Sequence, residues 1–106
     1  MSSDKFFCSG RYRLRTVPHE MKMSHWVYAP VLSDEREGHN ILDLSNGAWD
    51  LIEATEDENK IILSMARYPD SNDKHQITLL LTESLVMVSG KAYPISETKR
   101  VLNENI

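Results

Sequence analysis

Four histidines, one cysteine and a dense run of carboxylates are the side chains that could do chemistry in this chain. His19, His25, His39 and His75 are scattered, with no HxH, HxxxH or HExxH spacing to set two imidazoles on one ligand-bearing face. Three of them lie in or near turn-forming residues and read as solvated; His25 reads as a strand histidine. Cys8 alternates with apolar neighbours and reads as a small inward-facing residue. A reactive thiolate would need a nearby cation or a helix N-terminus, and Arg11 and Arg13 have the opposite parity. There is no GxSxG elbow, no phosphate loop and no dinucleotide fingerprint, and only four glycines to build a backbone cradle. The expectation is a non-enzyme with no catalytic residue, no metal ligand and no cofactor.

The carboxylates are the stronger signal. Net charge is −4 over 106 residues, but it is segregated. Residues 1–32 carry +3 and residues 59–106 carry +1, whereas residues 33–58 carry −8. The acids of that stretch include Asp34, Glu35, Glu37, Glu53, Glu56, Asp57 and Glu58. Acid–base catalysis needs carboxylates in unlike environments, one of them desolvated, and a polar acidic run supplies the opposite. A solvated loop is the plain interpretation. The sharper one is a negative surface that steers a basic protein partner and raises its association rate. Trp49, between the two acidic runs, is a candidate aromatic anchor for that partner or else a core residue.

A competing signal lies in Arg11, Arg13 and Arg15, which share one face of a strand at period two, with Phe7 on the same parity. Such a stripe could track phosphates while aromatics stack bases, giving a small nucleic-acid-binding β module. The acidic balance and the lack of an RNP, KH or zinc signature weigh against it. A small enzyme with histidines or carboxylates assembled only in space is a third class.

The elements that must position these residues are mostly strands. Alternation from Phe6 to Leu14 predicts a first strand, ended by Pro18. Met21–Val31 predicts a second, covered on both faces if Trp26 and Tyr28 pack, and residues 33–40 a polar loop. Ile41–Leu44 is a short third strand closed by Ser45, Asn46 and Gly47. Ala48–Thr55 fits either a helix or a strand, and the acidic TEDENK that follows favours a strand entering a hairpin. Lys60–Tyr68, apolar on both parities, is a central strand. Residues 69–73 predict a turn; Gln76–Thr82, Leu85–Ser89 and Ala92–Ile95 are further strands. Ser96 is a candidate N-cap for a C-terminal helix to about Asn103, docked through Val101 and Leu102. The expected fold is a single domain over residues 1–106, mainly β (α+β): one antiparallel sheet or half-barrel of six to seven short strands with one C-terminal helix. A lone cysteine, an N-terminus without an apolar leader and the absence of a long apolar run predict a cytoplasmic protein.

The stretch ILDLSNGAWDLIEATEDENKIILSMARYPD carries a family likeness. A short strand ends in a small turn and Trp49, an acidic hairpin follows, and the next strand ends in Arg67, Tyr68 and Pro69. Over residues 41–70 this resembles small bacterial immunity proteins of contact-dependent growth inhibition and related polymorphic toxin systems. The resemblance implies a cytoplasmic inhibitor with no activity of its own. It would neutralise a cognate toxin domain with a basic surface, such as a nuclease. The partner-binding residues expected from the charge reading are Asp34, Glu35, Glu37, Trp49, Glu53, Glu56, Asp57 and Glu58. An apolar sheet edge would equally serve a homodimer or a strand added by the partner.

Overall fold

A computed structural model describes residues 4–21, 26–45, 47–58, 60–68 and 70–105. Among these residues nine strands form two antiparallel sheets rather than the single sheet or half-barrel of six to seven strands expected. The first sheet holds β1 (Lys5–Phe7), β2 (Tyr12–Glu20), β3 (Trp26–Asp34) and β4 (His39–Asp43), in chain order. The second is a five-stranded meander of β5 (Trp49–Asp57), β6 (Lys60–Arg67), β7 (Asp70–Leu80), β8 (Leu85–Val88) and β9 (Lys91–Pro94). A single 3₁₀ turn, Ile95–Glu97, leads into α1 (Thr98–Asn105). Among the described residues no helix is long and apolar enough to cross a membrane.

Turn chemistry divides the expected first strand in two. Cys8, Ser9 and Gly10 take left-handed backbone conformations with φ of 54°, 58° and 92°. The Arg11 N–H closes this turn on the Cys8 carbonyl at 3.2 Å, and Phe7 then faces Tyr12 across a hairpin. The core-facing parity changes across the turn: Phe7 and its cross-strand partner Tyr12 are both buried, whereas Phe6, which the alternation placed on the Tyr12 side, is 57% exposed. Cys8 is therefore a half-buried turn residue, not a strand residue facing inward.

Proline does not end β2, which continues through Pro18 to Glu20. Pro18 faces Tyr28, whose N–H turns away from β2 to donate to Asp50 Oδ1 at 2.8 Å. In such a pair both backbone nitrogens point outward, so proline gives up no ladder bond. β1 has by then ended its pairing, at Lys5 opposite Leu14. The same geometry accommodates Pro30, whose carbonyl accepts from the Leu44 N–H at 3.1 Å.

The ambiguous 48–55 region is strand from Trp49 onward. β5 crosses the first sheet obliquely. At its start Asp50 holds the outer edge of β3; at its end the Ala54 carbonyl accepts from Lys5 Nζ at 3.0 Å, and Glu56 Oε2 from the Cys8 N–H at 3.1 Å. Between those points Leu51–Ala54 lie over Leu14 and Thr16 of β2. The layers are thus packed by crossing strands, and apolar side chains of both inner faces meet on one side of β5. Phe7, Tyr12, Leu14 and Leu32 from the first sheet join Trp49, Ile61, Leu63, Ile77, Leu79 and Val86 from the second.

β6 is central, as expected, between β5 and β7. β7 begins at Asp70, so the residues expected as a turn after Pro69 are strand; Pro69 itself lies outside the described residues. Ser96 does not cap α1: the 3₁₀ turn precedes it, and the Thr98 hydroxyl donates to the Ile95 carbonyl at 2.6 Å. α1 docks through Val101 and Leu102, both fully buried in the core. Two turns are too few to persist in water without that docking. Leu102→Ala removes buried volume from the joint between helix and sheets, so its stability loss, read by urea unfolding, is expected to be about 3 kcal/mol.

Candidate functional site

Four hairpin turns gather at one end of the molecule. The Glu35 N–H, in the β3–β4 turn, donates to the Arg11 carbonyl in the β1–β2 turn at 2.7 Å. Glu56, at the end of β5, accepts from the Cys8 N–H and, at 3.4 Å, from its thiol. The β7–β8 turn closes the group: Leu81, Thr82 and Ser84 line a depression of about 420 Å³ with Cys8, Arg11 and Tyr12. A neighbouring depression of about 310 Å³ shares Arg11 and Tyr12 and is walled by Asp34, His39 and Ile41. The β1–β2 turn therefore stands between the two acidic segments and brings them together.

The eight expected partner-binding residues divide into two sets. Glu35, Glu37, Glu53, Glu56, Asp57 and Glu58 are exposed. Asp34 and Trp49 are not, although both were among the expected partner contacts; for Trp49 the structure takes the core alternative.

Asp34 is 4% exposed. Its two oxygens accept from Arg11 Nε and Nη2 at 3.4 and 3.2 Å, and Oδ1 also accepts from the N–H groups of Arg36 and Glu37 at 3.0 and 3.1 Å. Its carbonyl takes the Gly38 N–H at 2.7 Å, with Gly38 in the left-handed region at φ 75°. Asp34 thus ties the acidic turn to the β1–β2 turn. The Arg11 side chain, followed by the N–H bonds of its own turn, holds its carboxyl below the usual aspartate range.

Trp49 is 1% exposed and packs edge-on to His75, with ring centroids 5.5 Å apart. Its cross-strand neighbour Arg67 places its guanidinium carbon 5.6 Å from the ring centroid. Trp49 is a core residue, and His75, expected to be solvated, lies against it. His25 falls outside the described residues.

Two of the three arginines of the stripe, Arg11 and Arg13, are paired with acids. Arg11 is held by Asp34 and stacks on Tyr12 at 5.1 Å. Arg13 Nη2 meets Asp4 at 2.7 Å and its Nη1 meets Glu35 at 3.7 Å. The Cys8 thiol is pushed above its ordinary range, first by burial and then by donating to the Glu56 carboxylate. That is the opposite of an activated nucleophile. Among the described residues no group of three or more His, Cys, Asp or Glu is placed to hold a metal ion.

What the sequence did not reveal is a second exposed feature, the aromatic pair Trp26 and Tyr28, each 48% exposed. Cover on both faces of the second strand is conditional on their packing, and they do not pack. Glu20 and Pro18, their cross-strand neighbours, are the only local sign that this part of the hairpin faces water.

Compared with known proteins, the chain matches no family model, no curated protein and no solved structure. The fold is mainly β, two antiparallel sheets and one short C-terminal helix.

The Asp34 geometry fixes a pH dependence. Because its folded pKa is depressed, the stability it contributes is fully present above the ordinary aspartate pKa and is lost as pH falls through the depressed value. Asp34→Asn should therefore be less stable than the parent at neutral pH. The gap in urea midpoint should close as the buffer is taken from pH 7 into the acid range below the ordinary carboxylate value. A gap that is constant with pH would contradict this role.

Proposed function

We propose that the protein is a non-enzymatic inhibitor, an immunity protein that binds and neutralises a cognate toxin domain through its acidic end. The observation that carries this reading is the convergence of Glu35 and Glu37 from one sheet with Glu56, Asp57 and Glu58 from the other, all exposed. Arg36 and Lys60 are the exposed cations of those turns, so carboxylates dominate the surface. Held by short hairpins, they need little ordering on binding, which favours fast, electrostatically steered capture. A basic cleft of the kind a nuclease uses to hold phosphates is the complementary surface.

Three further features support the reading. The candidate nucleophile is held protonated, so an activity of its own through Cys8 is disfavoured. Arg11 and Arg13 are engaged by acids, which weighs against phosphate tracking along that strand face. The resemblance over residues 41–70 points the same way.

The test is to capture the partner by co-expression with the neighbouring gene product and to measure its activity with and without this protein. A stoichiometric complex that silences the partner and is released by salt is expected. Reversing Glu56, Asp57 and Glu58 to lysine together should weaken binding about tenfold or more at low salt, and much less at high salt. Recovery of RNA or DNA alone, lost on changing Arg11, Arg13 and Arg15 together, would overturn the proposal in favour of a nucleic-acid-binding module.

A further inference from the structure

The second sheet covers only part of the inner face of the first. Tyr12, Leu14 and Leu32 lie under it in the core, and Thr16, Pro18, Trp26 and Tyr28 share their face by cross-strand register. Towards Trp26 the burial passes to the opposite face, where Val27, Ala29 and Val31 are buried, and Trp26 and Tyr28 are half exposed. At the rim of this overhang β5 carries an irregularity. Its register with β6 shifts between Leu51 and Glu53, and the intervening Ile52 turns outward, 48% exposed. A groove of about 260 Å³ separates the two strands there, lined by Leu14, Thr16, Leu51, Ile52 and Ala54. Trp26 and Tyr28, on the face they share with Thr16 of the groove lining, and Ile52 of the same lining are exposed apolar side chains of the composition that anchors protein interfaces.

The charges around it say what covers it. Glu20 stands opposite Trp26, Asp50 holds the Tyr28 N–H, and Glu53 lines the groove. The one cation of the groove lining, Lys5, donates to the Ala54 carbonyl. From here β5 runs to the acidic end with Glu53, Glu56 and Asp57 exposed along it and no basic residue. The aromatic overhang and the acidic end are thus the two ends of one strip.

We infer that Trp26, Tyr28 and Ile52 are the apolar anchor of the interface whose electrostatic half is the acidic end, and that its occupant is a basic polypeptide surface presenting an apolar side chain. The inference rests on the function proposed above and replaces Trp49 as the aromatic contact. The acids set the encounter; the anchor sets the lifetime of the complex.

Two peptides test it on the intact protein: oligolysine, and the same peptide with a Leu-Phe pair at its centre. Binding is followed by the two tryptophan indole N–H resonances, since the chain has only Trp26 and Trp49. The Leu-Phe peptide should bind about tenfold more tightly than oligolysine, shifting the Trp26 resonance and leaving Trp49 in place. Trp26→Ala with Tyr28→Ser should level the two affinities without changing that for oligolysine. Equal affinities with an unmoved Trp26 would overturn the anchor while leaving the acidic surface standing. Failure of both peptides to bind at low salt would overturn the acidic surface itself. A Trp26 shift that depends on protein concentration alone would assign the face to a second copy and overturn the inference.

Discussion

The passage of β5 across the first sheet is the constraint on which the rest of the structure depends. Three side chain to backbone bonds join β5 to the first sheet: Asp50 takes the Tyr28 N–H, Lys5 reaches the Ala54 carbonyl, and Glu56 takes the Cys8 N–H. Each satisfies a backbone group that no ladder bond reaches, on a strand edge for Tyr28 and Ala54 and in the β1–β2 turn for Cys8. Each also fixes where β5 ends, and so where the acidic hairpin that follows it emerges. Two of the three partners are carboxylates, so part of the acidity of the segment is spent on architecture.

That division runs through the whole acidic segment. Asp34 and Asp50 work as hydrogen-bond acceptors for backbone at turns and edges. Asp43 does the same, accepting the Ser45 N–H at 2.9 Å. Glu35 and Glu56 have a foot in both roles, each holding a neighbour while remaining exposed. Glu37, Asp57 and Glu58 are left as open charge. Short aspartates near backbone N–H groups and longer glutamates at turn tips follow from side-chain length: an aspartate can close on its own turn, whereas a glutamate reaches past it.

Much of the fold was legible because it depends on local pattern. Apolar residues on both parities marked β6 as central, and Val101 and Leu102 marked the docking face of the helix. Trp49 reads as strand but stays open between partner anchor and core, because a tryptophan between acidic runs has the same local pattern in either role; only Arg67 and His75, brought in by pairing, decide it. The break at Cys8–Arg11 was hidden because Phe6 and Phe7 supply an apolar residue on either parity, so the even-numbered alternation ran on through a turn across which the buried side changes from Phe7 to Tyr12, with Ser9-Gly10 as its one signal. Pro18 misled because the cost of a proline in a strand depends on which way its nitrogen faces, a property of register. The division into two sheets was likewise not readable, since it rests on the edge-to-edge meetings of β5 with β1 and β3. The convergence of the acidic turns follows from those meetings and shared their illegibility.

The central claim is that acids from the two sheets act as one surface. The most direct measurement is the association rate constant with the captured partner, by stopped flow over a range of ionic strength. It would compare the parent with Glu35→Lys/Glu37→Lys, with the triple reversal at residues 56–58, and with all five changes combined. A single surface predicts that either set slows association at low salt, and that the combined variant is slowest and least sensitive to salt. Association that responds to only one set, or to neither, would contradict it.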